Sequence, residues 1–508
     1  MKKTVFLTGA TGTMGWAGLK ELIKYPENYS VRILARPSKK NRNKLAPLQD
    51  KIEIVWGNLC SYEDVLKCVN GSDIVLHVGG MVSPNADYKP ESTRRTNLGA
   101  AENIKNAVLA QGEKQPKVVY IGSVAQMGDR REPLHWGRTG DPICVSAYDH
   151  YGITKALAER TITDSGIKTW VSLRQSGILY PAILKNYDPI MFHVPIRGVL
   201  EWATVEDSGR LLERVCRDEV PEEFWNRYYN IGSGAEYRIS NYEFEVLLLN
   251  AIGCPRPEKI FDAKWFTTRN FHGMWYVDSD VLENYLHFRA NVPIKEYFNQ
   301  MSKSDQIPFA MKFARVTKVA KLIPHIVKLA MRAMAYSKEH GTQWWIKNNK
   351  TQRINAYYGS LEEYNAIPDW KNTDLSHNSE EITFLNHGYD ETKPMAEFTI
   401  EDMQRAAEFR GGKCLSQTMT KGDWDTQLEW QCAEGHIFKA SPRLILLGGH
   451  WCLECFPFPY SNETNNRPWQ WDAEAKRNPF FAQLWSPLHN SNENNVYGPD
   501  IFNGWEKN

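Results

Sequence analysis

An α/β fold built on a doubly wound parallel sheet is predicted for the first part of this chain. Six short apolar runs, TVFLTG, YSVRILAR, IEIVWGN, DIVLHVGG, KVVYIGS and WVSLRQSG, alternate over residues 1–180 with stretches of helical spacing such as WAGLKELIKY and NLGAAENIKNAVLAQ. Alternation of this kind requires parallel crossovers with helices on the sheet faces. A glycine-rich turn, TGATGTMG (8–15), stands between the first run and the first helical stretch, where such sheets bind ligands. The chain has 508 residues, too many for one core, so further units are expected. We expect a dinucleotide-binding core over 1–180 and, over 181–303, a smaller substrate lobe with the remaining core elements. Basic amphipathic helices and a linker follow over 304–400, then a small zinc-binding module over 401–460 and a tail over 461–508.

Composition narrows the function classes. Lys and Arg number 61 against 60 Asp and Glu, so no global charge favours nucleic acid or an anionic surface. The opening MKKTVFLTG has only a short apolar run ending in the glycine turn, which suits a buried first strand better than a signal peptide. No stretch approaches the ~20 apolar residues a membrane span needs. Nine cysteines, four of them crowded near the end, suggest reduced thiols and a cytoplasmic location.

In the turn, Gly9 permits the tight bend, Gly12 lets a pyrophosphate approach the backbone, and Gly15 lets the helix pack on the strand. Thr11, Thr13 and Met14 complete the loop, whose helix amino terminus faces the phosphates. This is the signature of a Rossmann-type core. The second strand ends in LARPSKK. An acidic residue there would hold the ribose of NAD; Arg36 and Lys39 instead suit the extra phosphate of NADP, with NAD the runner-up. The plainer reading of the same cations is a solvated basic loop.

Further on, YDHYGITKALAE places Tyr151 and Lys155 one helical turn apart. A nearby ammonium favours the phenolate, which would bring Tyr151 towards working pH as a proton carrier for an alcohol or carbonyl. Ser123 ends the KVVYIGS run and could hold the substrate oxygen. Taken singly, Tyr151 is an ordinary packed aromatic and Ser123 a loop serine; the order of glycine turn, strand-end serine and YxxxK gives them weight.

That order resembles the extended short-chain dehydrogenase/reductase family, also called the NAD-dependent epimerase/dehydratase family, over about residues 1–303. DIVLHVGG, TNLGAAENI, LRQSGILYP, WATVEDSGRLLERV, YYNIGSGAEYRISNYEF and DSDVLENYLHF resemble its further segments in order. The resemblance implies a Ser123–Tyr151–Lys155 triad, with Tyr151 as acid/base and Lys155 on the nicotinamide ribose. It also brings Val78, Gly79, Gly80 and Asn97 near the cofactor, and puts Asn58 and Leu59 beside the adenine, where the family usually has Asp-Leu. Family dehydratases follow the strand-end hydroxyl with an Asp-Glu pair, whereas Val124 and Ala125 follow Ser123 here. Phe192, Trp202, Trp265, Phe266, Phe271 and Trp275 suggest an apolar or flat substrate, with Phe192 and Trp202 as candidate contacts, although ordinary lobe core explains such aromatics equally well. The expected function is therefore NADP-dependent interconversion of an alcohol and a ketone or aldehyde on a small apolar molecule. An epimerase acting on a nucleotide-linked sugar is the alternative, and a cofactor-sensing binding protein with a zinc interaction module is the third reading.

Near the end, WQCAEGHIFKASPRLILLGGHWCLEC offers Cys432, His436, Cys452 and Cys455. Three thiolates and an imidazole form a closed set suited to structural zinc, and the stretch resembles treble-clef or zinc-ribbon modules; a reduced thiol cluster is the alternative. Cys414 and His450 are spare ligands. The module lacks a basic stripe, so nucleic acid is not the expected partner; a homodimer stays open. Residues 306–348 carry many cations at amphipathic spacing. Such helices can lie on a membrane, but packing of the apolar face on its own domain is the favoured reading.

Overall fold

In the computed structural model, residues 2–185, 187–377, 381–460 and 464–499 are described. The six apolar runs become strands β1 (Lys3–Leu7), β2 (Tyr29–Ala35), β3 (Glu53–Trp56), β4 (Ile74–His77), β5 (Lys117–Ser123) and β6 (Trp170–Gln175). A seventh, β7 (Arg227–Ile231), adds to the edge of β6 with Tyr229 opposite Leu173. Their order, β3-β2-β1-β4-β5-β6-β7, is parallel throughout. It reverses direction between β1 and β4, which opens a crevice at the strands' carboxyl ends.

Alternate side chains of each strand feed opposite layers. Val5, Leu7 and Ile33 meet Leu19 and Leu212 on one face, from helices α1 (Thr13–Leu22) and α6 (Val205–Arg214). On the other face Phe6, Val75 and Val118 meet Ile104 of α4 (Pro90–Leu109) and Ile162 of α5 (His150–Thr163). Every residue of β4 and β6 is buried, as a sheet covered on both sides requires. Two further helices of the core layers, α2 (Lys39–Leu45) and α3 (Tyr62–Val69), start on serines, Ser38 and Ser61, whose hydroxyls accept from the backbone N–H of Asn41 and Asp64, satisfying a donor the first turn leaves open.

The lobe packs Phe244 of α7 (Asn241–Ala251) against Tyr297 and Phe298 of α8 (Ile294–Lys303). Beyond it, α9 (Phe309–Thr317) and α10 (Pro324–Ala335) carry the basic amphipathic sequence. The stretch expected to be a linker departs from that reading. It contains α11 (Thr351–Tyr358), and Tyr357, Tyr358 and Tyr364 are buried. Its polar composition hides tyrosines that join a shared core with Tyr148, Ile153, Trp345, Trp469 and Trp471. The tail's tryptophans are thus covered, as the cost of exposing them demands; residues 500–508 lie outside the described residues.

The module at 401–460 is a three-stranded antiparallel sheet, β8 (Lys413–Cys414), β9 (Leu428–Gln431) and β10 (Ile437–Ala440), closed over the fully buried Trp430. It does not hang free. Gly448–Cys452 runs along α5, where Arg160 Nη1 donates to the Trp451 carbonyl at 2.7 Å.

Candidate active site

The glycine turn is built to the limit of steric approach. Gly9 has φ +68°, and a Cβ there would lie 2.8 Å from Gly79 Cα. A Cβ on Gly15 would lie 2.2 Å from the Gly9 carbonyl oxygen. Both clashes involve backbone, so only glycine fits at these two positions; a Cβ on Gly79 would meet Leu59 Cδ1 at 2.7 Å and Gly9 N at 3.1 Å. Helix α1 starts at Gly12 with no side-chain cap and no acidic residue in its first turn. The N–H groups around Thr13, Met14 and Gly15 are thus left for an anion.

Arg36 and Lys39 are exposed at the end of β2 and the start of α2. A third cation, Lys44, reaches further: its Nζ donates to the Thr11 carbonyl at 3.0 Å and lies 4.3 Å from the Trp16 ring centre. Burial and then Lys40 and Lys20 lower its pKa, so a dianionic group placed there would relieve cation–cation repulsion. The sequence reading missed Lys44 because helix α2 has to fold before it meets the turn.

Asn58 and Leu59 form the turn that follows β3. The Asn58 side chain accepts from Cys60 N–H at 3.1 Å, shaping its own turn. The Leu59 carbonyl accepts from Asn103 Nδ2 at 2.8 Å, and its Cδ1 lies 2.7 Å from where a Gly79 Cβ would stand. Val78 is partly buried against the sheet. Gly80 faces Asn97, whose amide is fully used: Oδ1 accepts from Met81 N–H, and Nδ2 donates to the Met81 carbonyl and to Thr154 Oγ1. Asn97 therefore ties the segment after β4 to α5, joining the glycine turn to the helix of the YxxxK pair. Nearby, Thr8 Oγ1 accepts from Gly79 N–H and lies 3.1 Å from His77 Nδ1. Burial and Lys155 push the His77 pKa down to about 3, so its ring is neutral.

Ser123 ends β5 and Tyr151 stands in the first turn of α5, with the Ser123 hydroxyl near enough to the phenol to favour its ionised form. Lys155 lies one turn along, donating from Nζ to the Ile121 carbonyl at 2.5 Å, over the ring of Tyr120. The structure thus brings the three predicted groups together, but with a different charge state. Burial pushes Tyr151 up to about 12, against the Ser123 hydroxyl, and the negative charges of Asp149 and Asp87 act in the same direction as burial. Burial pulls Lys155 down to about 8. The ammonium does not lower the tyrosine pKa here because it is turned to a carbonyl. As placed, Tyr151 holds its proton and is an acid.

A cavity opens at the amino end of α5, lined by Ser83, Asp87, Asp149, His272, Arg353 and Tyr357 among others. Asp149 caps α5 through Gly152 N–H at 2.6 Å, and its other oxygen lies 2.8 Å from His272 Nδ1. Burial and then Asp149 push Asp87 up to about 7, while Ser83, His272 and the backbone N–H of Tyr151 pull the other way. Ser146 Oγ, buried on the same wall, has no hydrogen-bond partner among the described residues. None of these was singled out from sequence. Asp149 sits inside the quoted YDHYGITK stretch, and as a helix N-cap it was the one legible signal.

The aromatic substrate contacts fare unevenly. Phe192 is fully buried, edge-on to Phe261, Trp265 and Phe266. It belongs to the lobe core and is not brought to the Tyr151 cluster. Trp202 is half-buried, stacked on Phe244 at 4.5 Å and packed over Gly177. Phe271, in contrast, lines the cavity beside His272.

The four clasp residues do converge. Their ligand atoms lie within 4.8 Å of one another, with Cys432 Sγ 3.7 Å from Cys455 Sγ and 3.4 Å from His436 Nδ1. A tetrahedral zinc site needs edges of ~3.8 Å between sulfurs and ~3.6 Å from sulfur to nitrogen, so the residues present fit that ion. The spare candidates are placed elsewhere. Cys414 is packed in the module's apolar core, and His450 Nε2 lies 2.9 Å from Glu159 Oε1.

Residues 5–171, about a third of the chain, match the NAD dependent epimerase/dehydratase family. Among solved structures, the Bordetella bronchiseptica enzyme WbmG in complex with NAD is similar at TM-score 0.48 and 16% identity, over 61% of this chain and 96% of that one. The dTDP-glucose 4,6-dehydratase (rfbB) of Bacillus anthracis, also with NAD, is similar at 0.48 and 14%, over 61% and 98%. DesIV, a dTDP-glucose 4,6-dehydratase of Streptomyces venezuelae, is similar at 0.48 and 16%, over 63% and 99%. No curated protein matches the sequence.

Proposed function

We propose that the chain is a nicotinamide-dinucleotide enzyme of the epimerase/dehydratase type, with Tyr151 as the proton carrier at the substrate oxygen. The observation that carries this reading is the convergence of Ser123, Tyr151 and Lys155 at the carboxyl end of β5, with an open glycine turn opposite. When bound, the dinucleotide supplies or accepts the hydride. Ser123 orients the substrate oxygen. Tyr151, protonated as found, donates its proton to a developing alkoxide, and in the reverse direction it receives the hydroxyl proton. Lys155 is turned to the Ile121 carbonyl and would hold a ribose hydroxyl of the bound dinucleotide by exchanging that contact.

The cavity at the head of α5 favours this type over simple alcohol–ketone exchange. Asp87, which burial pushes up to about 7, and the hydrogen-bonded Asp149–His272 pair form a second set of acid and base side chains. A reductase of the Tyr–Lys–Ser kind completes its chemistry without one. An enzyme that removes or replaces a further proton on its substrate needs such groups. The absence of an Asp-Glu pair after Ser123 is thus offset by acids arriving from another part of the chain. Net oxidoreduction of an apolar alcohol or ketone is the second reading, supported by the aromatic lobe around Trp202 and Phe271. For the cofactor, the cations Arg36, Lys39 and Lys44 support NADP over NAD. We also assign structural zinc to Cys432, His436, Cys452 and Cys455.

Mixing the protein and catalytic NAD(P) with a panel of nucleotide sugars and apolar ketones separates the readings. Product formation, followed by mass and NMR, with no net change at the reduced-nicotinamide absorbance supports the epimerase/dehydratase type. Stoichiometric consumption of reduced cofactor would move the assignment to the oxidoreductase. Tyr151→Phe should retain cofactor binding and lose at least ~100-fold in turnover; unchanged turnover would sink both. Arg36→Asp should raise the Kd for NADPH and leave that for NADH unchanged or lower.

A further inference from the structure

Helices α9 and α10 present their apolar side chains outward. Phe309, Val316 and Leu322 are 80%, 78% and 77% exposed, and Leu329 is 63% exposed. Nine of the seventeen exposed large apolar side chains among the described residues fall within 309–336. Isolated exposed apolar residues are ordinary; a contiguous patch marks a contact surface.

The pattern is ordered. On α9, Phe309, Phe313 and Val316 follow i, i+4, i+7 spacing, and the two phenylalanine rings stack. On α10, Ile326, Leu329, Ala330 and Ala333 form one exposed stripe at i, i+3, i+4, i+7. The opposite side of α10 is already occupied: Val327, Met331, Met334 and Ala335 pack on Phe192, Trp265 and their neighbours. The helix therefore has an inner apolar face seated on the lobe and an outer one with no cover. This departs from the favoured sequence reading, in which its own domain covers the apolar side.

The charges name the occupant. Between Asp305 and Glu339 the sequence has seven Lys and Arg and no Asp or Glu. Lys312 and Arg315 are turned to Asp305 and Asn299 and Lys328 to the Trp265 ring, while Lys318, Lys321 and Arg332 are exposed beside the apolar stripe. We infer that residues 309–336 dock on a lipid bilayer carrying anionic headgroups, with Phe309, Phe313, Leu322, Ile326 and Leu329 entering the acyl boundary and Lys318, Lys321 and Arg332 at headgroup level. A two-fold contact with a second copy would set this cation-rich patch against itself. An anionic lipid surface instead accepts both the apolar stripe and its charged border. No helix among the described residues is long and apolar enough to cross a membrane, so the contact lies in the interface plane. The inference does not depend on what Tyr151 does.

The test is sedimentation of the full chain with phosphatidylcholine vesicles, with and without about one-third phosphatidylglycerol. The expected result is binding to the anionic vesicles alone, weakened at least threefold at ~0.5 M salt. Leu322→Glu combined with Ile326→Glu should lower partition at least tenfold with unchanged thermal unfolding, because both sites are exposed. Lys318→Glu combined with Lys321→Glu should lower it on anionic vesicles. Failure to bind either vesicle, equal binding to both at all salts, or binding untouched by the apolar pair would overturn the proposal. So would a dimer in light scattering that Leu322→Glu dissolves, since a second copy would then be the cover.

Discussion

Two attachments leave the central sheet, and they are fastened in opposite ways. The module at 401–460 meets α5 through buried charge and hydrogen bonds. Arg174 and Glu159, both with fully buried side chains, pair at 2.7 Å. Arg174 also donates to the Gly448 carbonyl, Ser172 donates to Glu159, and His450 completes the ring. Burial works against the Glu159 charge, but Arg174 and His450 outweigh it and hold the carboxyl well below its ordinary range. The α9–α10 segment has the reverse character, with few polar ties and an outer face open to whatever it meets. A buried polar network needs every member in place, whereas an apolar face accepts any surface of matching polarity. The first kind of contact makes a permanent part of the fold, and the second leaves a docking site.

The comparison can be broken at either end. The largest effect is expected from the metal. Cys455→Ser, or chelation, should release zinc, melt the 401–460 module first and speed amide exchange along α5. Wild-type protein without stoichiometric zinc by mass spectrometry would reduce the clasp to a thiol cluster. Next, Arg174→Ala leaves the buried Glu159 charge without its guanidinium partner, with only Ser172 and His450 still bonded to it, and should cost about 3–5 kcal/mol in urea unfolding. A loss under ~1 kcal/mol would mean that the module interface is no stronger than a surface contact.

A smaller, pH-dependent effect separates the cavity from both. Asp87 rises from 3.8 unfolded to about 7 folded, so the folded state holds its proton more tightly. Its contribution to stability is fully present below pH ~4 and is lost as pH rises through ~7, amounting to up to about 4 kcal/mol at 1.36 per unit. Buried Glu245, pushed up to about 8 by burial alone, acts with the same sign. Asp87→Asn should therefore flatten part of the fall in melting temperature between pH 5 and 8, and an unchanged slope would remove Asp87 from the account. Smallest of all, Leu322→Ser on the open face should change stability by less than ~0.5 kcal/mol; a large loss would mean that the face is covered within the protein.

Much of this was legible where the chemistry is local. The glycine turn and the Tyr151–Lys155 pair lie within single strand–helix units, so spacing alone places them. The clasp was legible for another reason: four ligand residues at zinc spacing declare themselves before folding. The Asp87–Asp149–His272 group was not legible. Its members are scattered along the chain, and only the fold brings them to one wall. Phe192 was misread because the same aromatic composition serves a lobe core and a substrate pocket, and burial alone tells them apart. The linker expected before residue 400 hid Tyr357 and Tyr358 behind polar neighbours. For 309–336 the pattern was visible, but amphipathicity says that a face must be covered without saying by what. Strand β7 was quoted only within a longer family segment, since a five-residue edge strand carries little signal of its own.

The His450–Glu159 contact spans 291 residues, and that interval is also a time. At about 5–20 residues per second of synthesis, the module's loop leaves the ribosome roughly 15–60 s after the helix it completes. Throughout that delay Arg174 and Glu159 can satisfy each other, but the site that takes the Gly448 carbonyl stands open to water. A chain cut short before residue 448 would thus carry every group of the Tyr151 cluster and still be unfinished on the back of the helix that holds it.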